Sequence, residues 1–418
     1  MTNVQAGLRS IRCAAFDAEG PDRFRWIPDA FLAWDADGVL TEVDDWRGQS
    51  VDRWWPNTVA TAGFIDGHVH AAQTRIVGAA SGPLLDWLAT STFPEETGLA
   101  DPARAASVYG RFCRQLVAGG TTTALAWSSA HEGAADALFQ AAIDTGLRLI
   151  GGPVWMDEGA PASLLSDVDA TVARLERLVA RWKGVDPRVE VAVLPRFALS
   201  CGPEMLEAAG AFAERHRLLI STHLSENPAE VAAVRARFGL GYAEVYDRAG
   251  LLRPGTVLAH CIHPTEAEWA LLAERGAVVA HCPDSNDFLG SGGMPARVPV
   301  PMVLGTDVAA GRSFRIPRVA SAGFDNALRQ GARVPPATWL WHATAGGAAA
   351  LGRSGVGRLV PGAQADIAVH RLPPWVDAAE AALGWLLFAA DAPPCAATFV
   401  GGRCVWQHEA PSWPVWSD

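Results

Sequence analysis

The chain has 418 residues, half of them hydrophobic, and its 45 acidic and 34 basic residues give a formal net charge of -11. An acidic chain without a basic cluster repels phosphate backbones, so no nucleic acid polymer is expected as a partner. The longest apolar runs, such as residues 381–390, fall far short of the roughly 20 residues that span a membrane, so no membrane partner is expected. Seven cysteines without a CxxC pair indicate reduced thiols, and residues 1–5 contain no secretory signal. Together these features predict a cytoplasmic protein.

The predicted elements form three blocks along the chain. The first 60 or so residues predict short strands at 30–36 and 39–43, in a segment rich in tryptophan and turn residues. The middle of the chain repeats one unit, a short apolar run followed by a helical stretch. Eight such runs are present, at residues 63–70, 121–127, 147–155, 189–197, 218–224, 256–262, 277–282 and 302–307. The clearest helices between them lie at residues 203–217, 228–238 and 265–275. The last 60 or so residues again predict strands, at 366–369 and 398–406.

This order of elements predicts an α/β fold. Eight strands that alternate with helices indicate a parallel sheet closed into a (β/α)8 TIM-like barrel. A doubly wound open sheet is the alternative, but such sheets usually stop at about five or six strands. The two β-rich ends predict one small β-sandwich formed from both termini. The predicted division is therefore a sandwich domain of residues 1–61 and 360–418 and a barrel domain of residues 62–359.

Histidines and one aspartate fall at the carboxyl ends of these predicted strands. His68 and His70 end the first strand and, being two residues apart, point to the same face. His223, His260 and Asp307 end the fifth, sixth and eighth strands, at the face where barrel enzymes build their active sites. Imidazoles with a carboxylate suit a first-row metal ion, with zinc the first choice and Fe²⁺ the second. A lone buried histidine is more often a hydrogen-bonded core residue, but accidental burial of so many ionisable groups would be costly.

Glu226 allows two interpretations. It follows His223 by three residues and precedes a predicted helix, so it resembles an ordinary helix-start carboxylate, with Ser225 or Asn227 as the helix cap. The other interpretation is a general acid and base that reaches a substrate bound at the metal.

The position of lysine bears on the number of metal ions. Many dinuclear barrel hydrolases bridge their metals with a carboxylated lysine from the fourth strand. Here the fourth run, residues 189–197, contains no lysine, and Lys183, the only lysine in the chain, precedes it in a polar turn. The sequence therefore predicts one metal ion per subunit. A single metal beside an acid suits attack of an activated water on a ring carbon, followed by loss of ammonia.

Several segments resemble the amidohydrolase superfamily. They are GFIDGHVH at 63–70, GTTT at 120–123, HLSEN from 223, HCPDSN from 281, GTD at 305–307 and LVPGAQAD at 359–366. Within the superfamily, the chain is most similar to the guanine deaminase family. That similarity rests on Gln73, PLLDWL at 83–88, TFP at 92–94, PRF at 195–197 and FLGSG at 288–292. The resemblance covers nearly the whole chain and implies a homodimeric, zinc-dependent hydrolase that converts guanine to xanthine and ammonia.

The resemblance also implies roles for individual residues. The implied zinc ligands are His68, His70, His223 and Asp307. The implied catalytic residues are Glu226, which protonates a ring nitrogen, His260, which lies beside the attacking water, and Asp307, which accepts a proton from that water. The implied contacts of the purine are Gln73, Arg196, Phe197 and His260. For Arg196 alone, a structural salt bridge is an equally good interpretation.

Three positions depart from the family pattern. Asp284 and Asp287 place acids in the loop after the seventh strand, and Ala310 stands where the family has glycine. An acid that faced the pocket would favour a different ring, such as an oxidised purine, a pterin or a triazine. His281 is expected either to orient this loop or to touch the substrate. A metal-binding or ligand-binding protein without turnover is the alternative outside the enzymes.

Overall fold

The computed structural model describes residues 7–79, 82–390 and 392–408. The segment 1–5 and the end of the predicted sandwich domain lie outside the described residues. The strands are β1 (Ser10–Gly20), β2 (Arg23–Trp34), β3 (Leu40–Asp45), β4 (Arg53–Ala62), β5 (Phe64–His70), β6 (Thr121–Ser128), β7 (Arg148–Trp155), β8 (Val189–Pro195), β9 (Leu219–Leu224), β10 (Val257–His260), β11 (Val278–His281), β12 (Met302–Leu304), β13 (Ile367–Arg371), β14 (Ala397–Val400) and β15 (Arg403–Gln407). The helices are α1 (Leu84–Trp87), α2 (Phe93–Thr97), α3 (Pro102–Ala118), α4 (Glu132–Thr145), α5 (Val168–Trp182), α6 (Pro203–His216), α7 (Pro228–Phe238), α8 (Tyr242–Arg248), α9 (Glu266–Glu274), α10 (Pro283–Phe288), α11 (Ile316–Arg329), α12 (Pro336–Ala343), α13 (Ala345–Ala350) and α14 (Ala379–Phe388).

Strands β5 to β12 form one parallel sheet in sequence order, which confirms the predicted (β/α)8 barrel. Each strand lies within or close to one of the eight predicted runs. Every residue of β6 is buried, as expected where helices cover one face of a parallel sheet and the barrel core fills the other. The first and last strands meet where Asp307 N–H donates to the His68 carbonyl oxygen at 2.9 Å. The sheet is therefore a nearly closed barrel.

The predicted helices are present, and local signals explain where they begin. Helix α7 starts at Pro228, and the Asn227 side chain caps it by accepting from the Ala229 N–H at 2.9 Å. Helix α9 has a complete capping box, in which Thr265 and Glu268 satisfy each other's backbone N–H groups. These caps fix where the chain turns between a strand end and the following helix.

The two ends of the chain form a second, seven-stranded sheet in the order β15-β14-β13-β4-β1-β2-β3, as the β-rich termini predicted. The structure differs from the prediction in its individual strands, because β1 and β4 were not predicted and the run predicted at 398–406 is a hairpin of β14 and β15. Gly401 and Gly402 form its turn with φ values of 53° and 70°, a left-handed backbone that favours glycine. The buried side chains around Trp34 and Phe399 give this sheet an apolar cluster of its own.

A second apolar cluster joins the terminal sheet to the barrel. Phe16 of β1 and Val59 of β4 pack with Leu304 of β12 and with side chains of α11, α12 and α14. Helix α14 lies in an end of the chain for which only strands were predicted. All seven cysteines are buried and free, in agreement with the predicted reduced thiols. Within the described residues, no helix is both long enough and apolar enough to cross a membrane.

Candidate active site

Three histidines and an aspartate meet at the carboxyl end of the barrel. His70 Nε2 lies 3.1 Å from His223 Nε2, and Asp307 Oδ1 lies 3.3 Å from the Nε2 atoms of both His68 and His70. His260 joins them, with its Nε2 3.9 Å from Asp307 Oδ2. The donor atoms of His68, His70 and His223 lie within 4.8 Å of one another, as do those of His68, His260 and Asp307. The structure thus brings together all five residues that the strand ends predicted.

Neighbouring groups orient these imidazoles. His223 Nδ1 is 2.7 Å from the Arg196 carbonyl oxygen, which can only accept, so Nδ1 carries the proton and Nε2 is left as a lone-pair donor. His260 Nδ1 is 2.8 Å from Asn286 Oδ1, which turns its Nε2 in the same way toward the site. His260 and Asp307 also adopt left-handed backbone, with φ of 71° and 46°. Such conformations are uncommon outside glycine and cluster at functional sites.

The protonation of the four predicted ligands fits a metal cation. Burial lowers the pKa of His68 to about 4 and lowers the pKa values of His70 and His223, so all three rings are neutral at pH 7. Burial alone would raise the pKa of Asp307, but the His68 and His70 rings, each 3.3 Å from its Oδ1, and the charge of His260 hold it well below the ordinary value. Neither ring nitrogen of the fully buried His68 makes a hydrogen bond of good geometry. Neutral imidazoles beside an anionic carboxylate are the state in which these groups bind a metal.

Lys183 does not contribute to this site. It directly follows the end of α5, before the amino end of β8, whereas the histidines lie at the carboxyl ends of their strands. The fourth barrel strand, β8, contains no lysine that could bridge two metal ions.

Asn227, and not Glu226, caps helix α7, and the Glu226 side chain lines the site. Glu230 accepts the backbone N–H of Glu226 at 2.9 Å, which fixes this turn of chain. The Glu226 carboxylate lies 3.4 Å from His260 Nε2 and accepts a hydrogen bond of 3.4 Å from Ser291 Oγ. Burial raises the pKa of Glu226 to about 7, although the charge of His260 opposes the shift. A carboxyl group with this pKa exchanges protons readily at neutral pH.

A narrow, largely apolar cleft opens from the metal ligands. The residues that line it are His70, Gln73, Leu84, Trp87, Leu88, Arg196, Phe197, His223, Glu226, His260, Leu289, Asp307 and Ala310. Every residue predicted to contact a purine is in this set. The polar side chains lie among aromatic and aliphatic ones, which suits a flat, apolar ring with a few hydrogen-bonding atoms.

Sequence reasoning missed three residues that support the site. Trp127, at the end of β6, packs against His68, His70 and His223 with ring centroids 5.0 to 5.6 Å apart. Asn286 orients His260, and the HCPDSN segment that carries part of the family resemblance ends on this residue. Glu96 is buried and forms an ion pair with Arg196 at 2.9 Å. Arg196 therefore makes a salt bridge and also lines the cleft, so the two interpretations of this residue are not exclusive.

The acids that depart from the family pattern do not reach the cleft. Asp284 pairs with Arg312 at 2.5 Å and with Arg318 at 2.9 Å, and Asp287 pairs with Arg329 at 2.8 Å. These two acids therefore give no reason to expect a different ring substrate. His281 is buried, stacks near Trp339 with centroids 6.3 Å apart, and is absent from the cleft lining.

A barrel whose mouth gathers such donors beside a buried carboxyl group is typical of metal-dependent hydrolases. The pattern of the amidohydrolase family matches residues 59–405, and the chain belongs to this family. It is accordingly a hydrolytic enzyme, and the family together with the His/Asp cluster points to a divalent metal.

The relatives confirm the resemblance to guanine deaminases. A Deinococcus radiodurans protein named "Probable guanine deaminase" is 40% identical over 336 residues, which cover 78% of this chain and 74% of that protein. The structure of Escherichia coli guanine deaminase is 31% identical with a TM-score of 0.90, and the match covers 96% of this chain and 100% of that one. Guanine deaminase from C. acetobutylicum, solved with guanine bound in the active site, is 27% identical with a TM-score of 0.89, over 96% of this chain and 100% of its own.

Proposed function

We propose that this protein hydrolyses guanine to xanthine and ammonia with one zinc ion per subunit. The observation that carries the proposal is the cleft in which the predicted purine contacts face the predicted metal ligands and Glu226. The similarity to guanine deaminases over most of the chain supports the same substrate. A cytoplasmic homodimer, with the domain boundaries predicted from the sequence, is part of the proposal.

The chain's residues divide the work of recognition. Phe197 and Trp87 line the cleft and pack against the faces of a flat ring. Arg196 donates to the carbonyl oxygen of guanine, because a guanidinium remains charged and presents several N–H groups in one plane. Gln73 hydrogen-bonds the ring edge. These contacts place the carbon that bears the amino group toward the histidines.

His68, His70, His223 and Asp307 hold the metal. Nitrogen and carboxylate donors suit zinc first and Fe²⁺ second. When bound, such an ion polarises water and lowers its pKa toward neutrality.

Glu226, His260 and Asp307 move and hold the protons. Asp307 accepts a proton from the attacking water, and His260, 3.4 Å from Glu226, holds that water beside the carboxylates. Glu226 gives a proton to a ring nitrogen and then assists protonation of the departing amino group, which leaves as ammonia. Its pKa of about 7 allows it to act as both acid and base.

The test is ammonia release by the purified, zinc-loaded protein, with guanine and a panel of other aminated rings. We expect guanine to be the best substrate and xanthine to form in an amount equal to the ammonia. Turnover of a pterin or a triazine but not of guanine would reject the substrate and retain the chemistry. No ammonia from any ring would favour a binding protein without turnover.

A further inference from the structure

The Glu96 carboxylate lies behind both polar side chains that are proposed to bind the purine edge. Arg196 Nη1 donates to Glu96 Oε2 at 2.9 Å and to Oε1 at 3.1 Å, and Gln73 Nε2 donates to Oε1 at 3.4 Å. All three residues are at most 3% exposed. Glu96 thus couples β8, where Arg196 follows the last strand residue, to the turn after β5 that contains Gln73.

The hydrogen bonds of Gln73 fix the orientation of its amide. Gln73 Oε1 accepts the backbone N–H of Ala309 at 3.1 Å, and a backbone N–H can only donate. The opposite end faces the Glu96 carboxylate, which, when ionised, can only accept. Both neighbours therefore require the same orientation, in which the Nε2 hydrogen not used by Glu96 remains for the cleft. Gln73 presents a donor there and no acceptor.

Arg196 is held in a similar way. Its Nη1 is engaged by Glu96 and lies 3.9 Å from Met156 Sδ. Within the described part of the chain, Arg196 Nε and Nη2 have no hydrogen-bond acceptor on the protein, and Arg196 lines the cleft. The remaining N–H groups of Arg196 are thus free to meet a ligand, and the Glu96 charge balances the guanidinium in a site from which water is largely excluded.

We propose that Glu96 is a positioning residue that turns the donors of Arg196 and Gln73 toward the cleft, and so selects rings with a carbonyl oxygen at that edge over rings without one. The inference rests on the proposed function. Guanine presents acceptors at its 6-oxo oxygen and at N7, a pair that arginine commonly contacts, whereas adenine presents an amino donor at the equivalent position. A 6-amino group would place its own donor against the donors of Arg196 and Gln73, and in a buried site neither side would have an acceptor. A 6-amino ring is therefore rejected.

The test compares guanine with 2-aminopurine, which bears the same amino group but lacks the 6-oxo oxygen. Xanthine formation gives kcat and KM for guanine, and competition in the same assay gives the inhibition constant of 2-aminopurine. In Glu96→Gln we expect the guanine KM to rise at least about tenfold, with kcat changed less than about threefold. The inhibition constant of 2-aminopurine should change less than about threefold, because this ring makes no contact through a 6-oxo group.

Glu95 offers a matched control. It is the adjacent residue, is 7% exposed and pairs with Arg104 at 2.6 Å instead of with Arg196. Glu95→Gln removes a similar ion pair from the same short helix. We expect Glu95→Gln to change the KM of guanine and the inhibition constant of 2-aminopurine by the same factor.

The inference would be overturned if Glu96→Gln raised the KM of guanine and the inhibition constant of 2-aminopurine by equal factors, or raised neither. Glu96 would then be a purely structural residue. If Glu96→Gln does not fold, Glu96→Asp decides, because it keeps the charge but withdraws the carboxylate. A smaller rise in the ratio of the guanine KM to the 2-aminopurine inhibition constant is then expected. If the wild-type protein releases no ammonia from guanine, the proposed function fails by itself. Positioning is then judged from crystal structures, where Arg196 and Gln73 should move in the Glu96 variant and stay in place in Glu95→Gln.

Discussion

Buried histidines occur in both sheets of this protein, but among the described residues only histidines of the barrel form a candidate metal site. In the terminal sheet, His370 Nε2 lies 3.2 Å from Thr61 Oγ1, and its Nδ1 lies 3.4 Å from Cys395 Sγ. Both ring nitrogens of His370 are thus partnered within the fold, whereas His68 in the barrel has no good hydrogen bond and faces Asp307. Burial lowers the pKa of both His370 and His68. A lowered pKa therefore does not identify a metal ligand; unsatisfied nitrogens converging on a carboxylate do.

The largest expected effect is the loss of turnover in Glu226→Gln, a variant of the barrel site. The variant should lose about 10² to 10⁴ in turnover, because glutamine cannot transfer the proton that the carboxyl group supplies. Its metal content should remain that of the wild type, since Glu226 is not among the proposed ligands. Steady-state kinetics and elemental analysis on the same preparation check both points. Near-normal turnover would remove Glu226 from the mechanism.

A smaller effect is expected in the terminal sheet, where His370→Gln should change how the free energy of unfolding depends on pH. Burial lowers the pKa of His370 to about 3, so between pH 6.5 and that value the unfolded chain binds a proton that the folded chain excludes. The contribution of His370 to the free energy of unfolding therefore decreases as the pH is lowered. At pH 5 it is smaller than at pH 7 by on the order of 2 kcal/mol. Glutamine does not titrate, so the variant should lose less stability than the wild type between pH 7 and pH 5.

Urea unfolding at the two pH values measures this difference. The activity of His370→Gln at pH 7 should match that of the wild type, because the residue lies in the terminal sheet and does not line the cleft. An identical loss of stability on acidification in the two proteins would show that His370 is not excluded from protonation by the fold.

The barrel and its five strand-end residues could be predicted because their signals are local. Each strand is a short apolar run, and His68, His70 and Asp307 are the polar residues that end such runs. The choice between the two interpretations of Glu226 needed the structure, since any of several residues at this turn could cap helix α7. Only the contacts assign the cap to Asn227 and leave Glu226 free.

Other features could not be predicted because they depend on residues far apart in the chain. Glu96 and Arg196 are separated by 100 residues, and nothing in the sequence pairs a helical glutamate with that arginine. For the same reason, the partners of Asp284 and Asp287 could not be read from their own loop. The hairpin of β14 and β15 is different, because the Gly401-Gly402 pair between two apolar runs is a local turn signal from which it could have been predicted.

The most direct test of the account is anomalous scattering at the zinc edge from crystals of the zinc-loaded protein. The account predicts one peak per chain, about 2.0 to 2.2 Å from the donor atoms of His68, His70, His223 and Asp307. The peak should be lost in His223→Ala and retained in His370→Gln. Two peaks at the barrel mouth, or one peak away from these four side chains, would contradict the central claim.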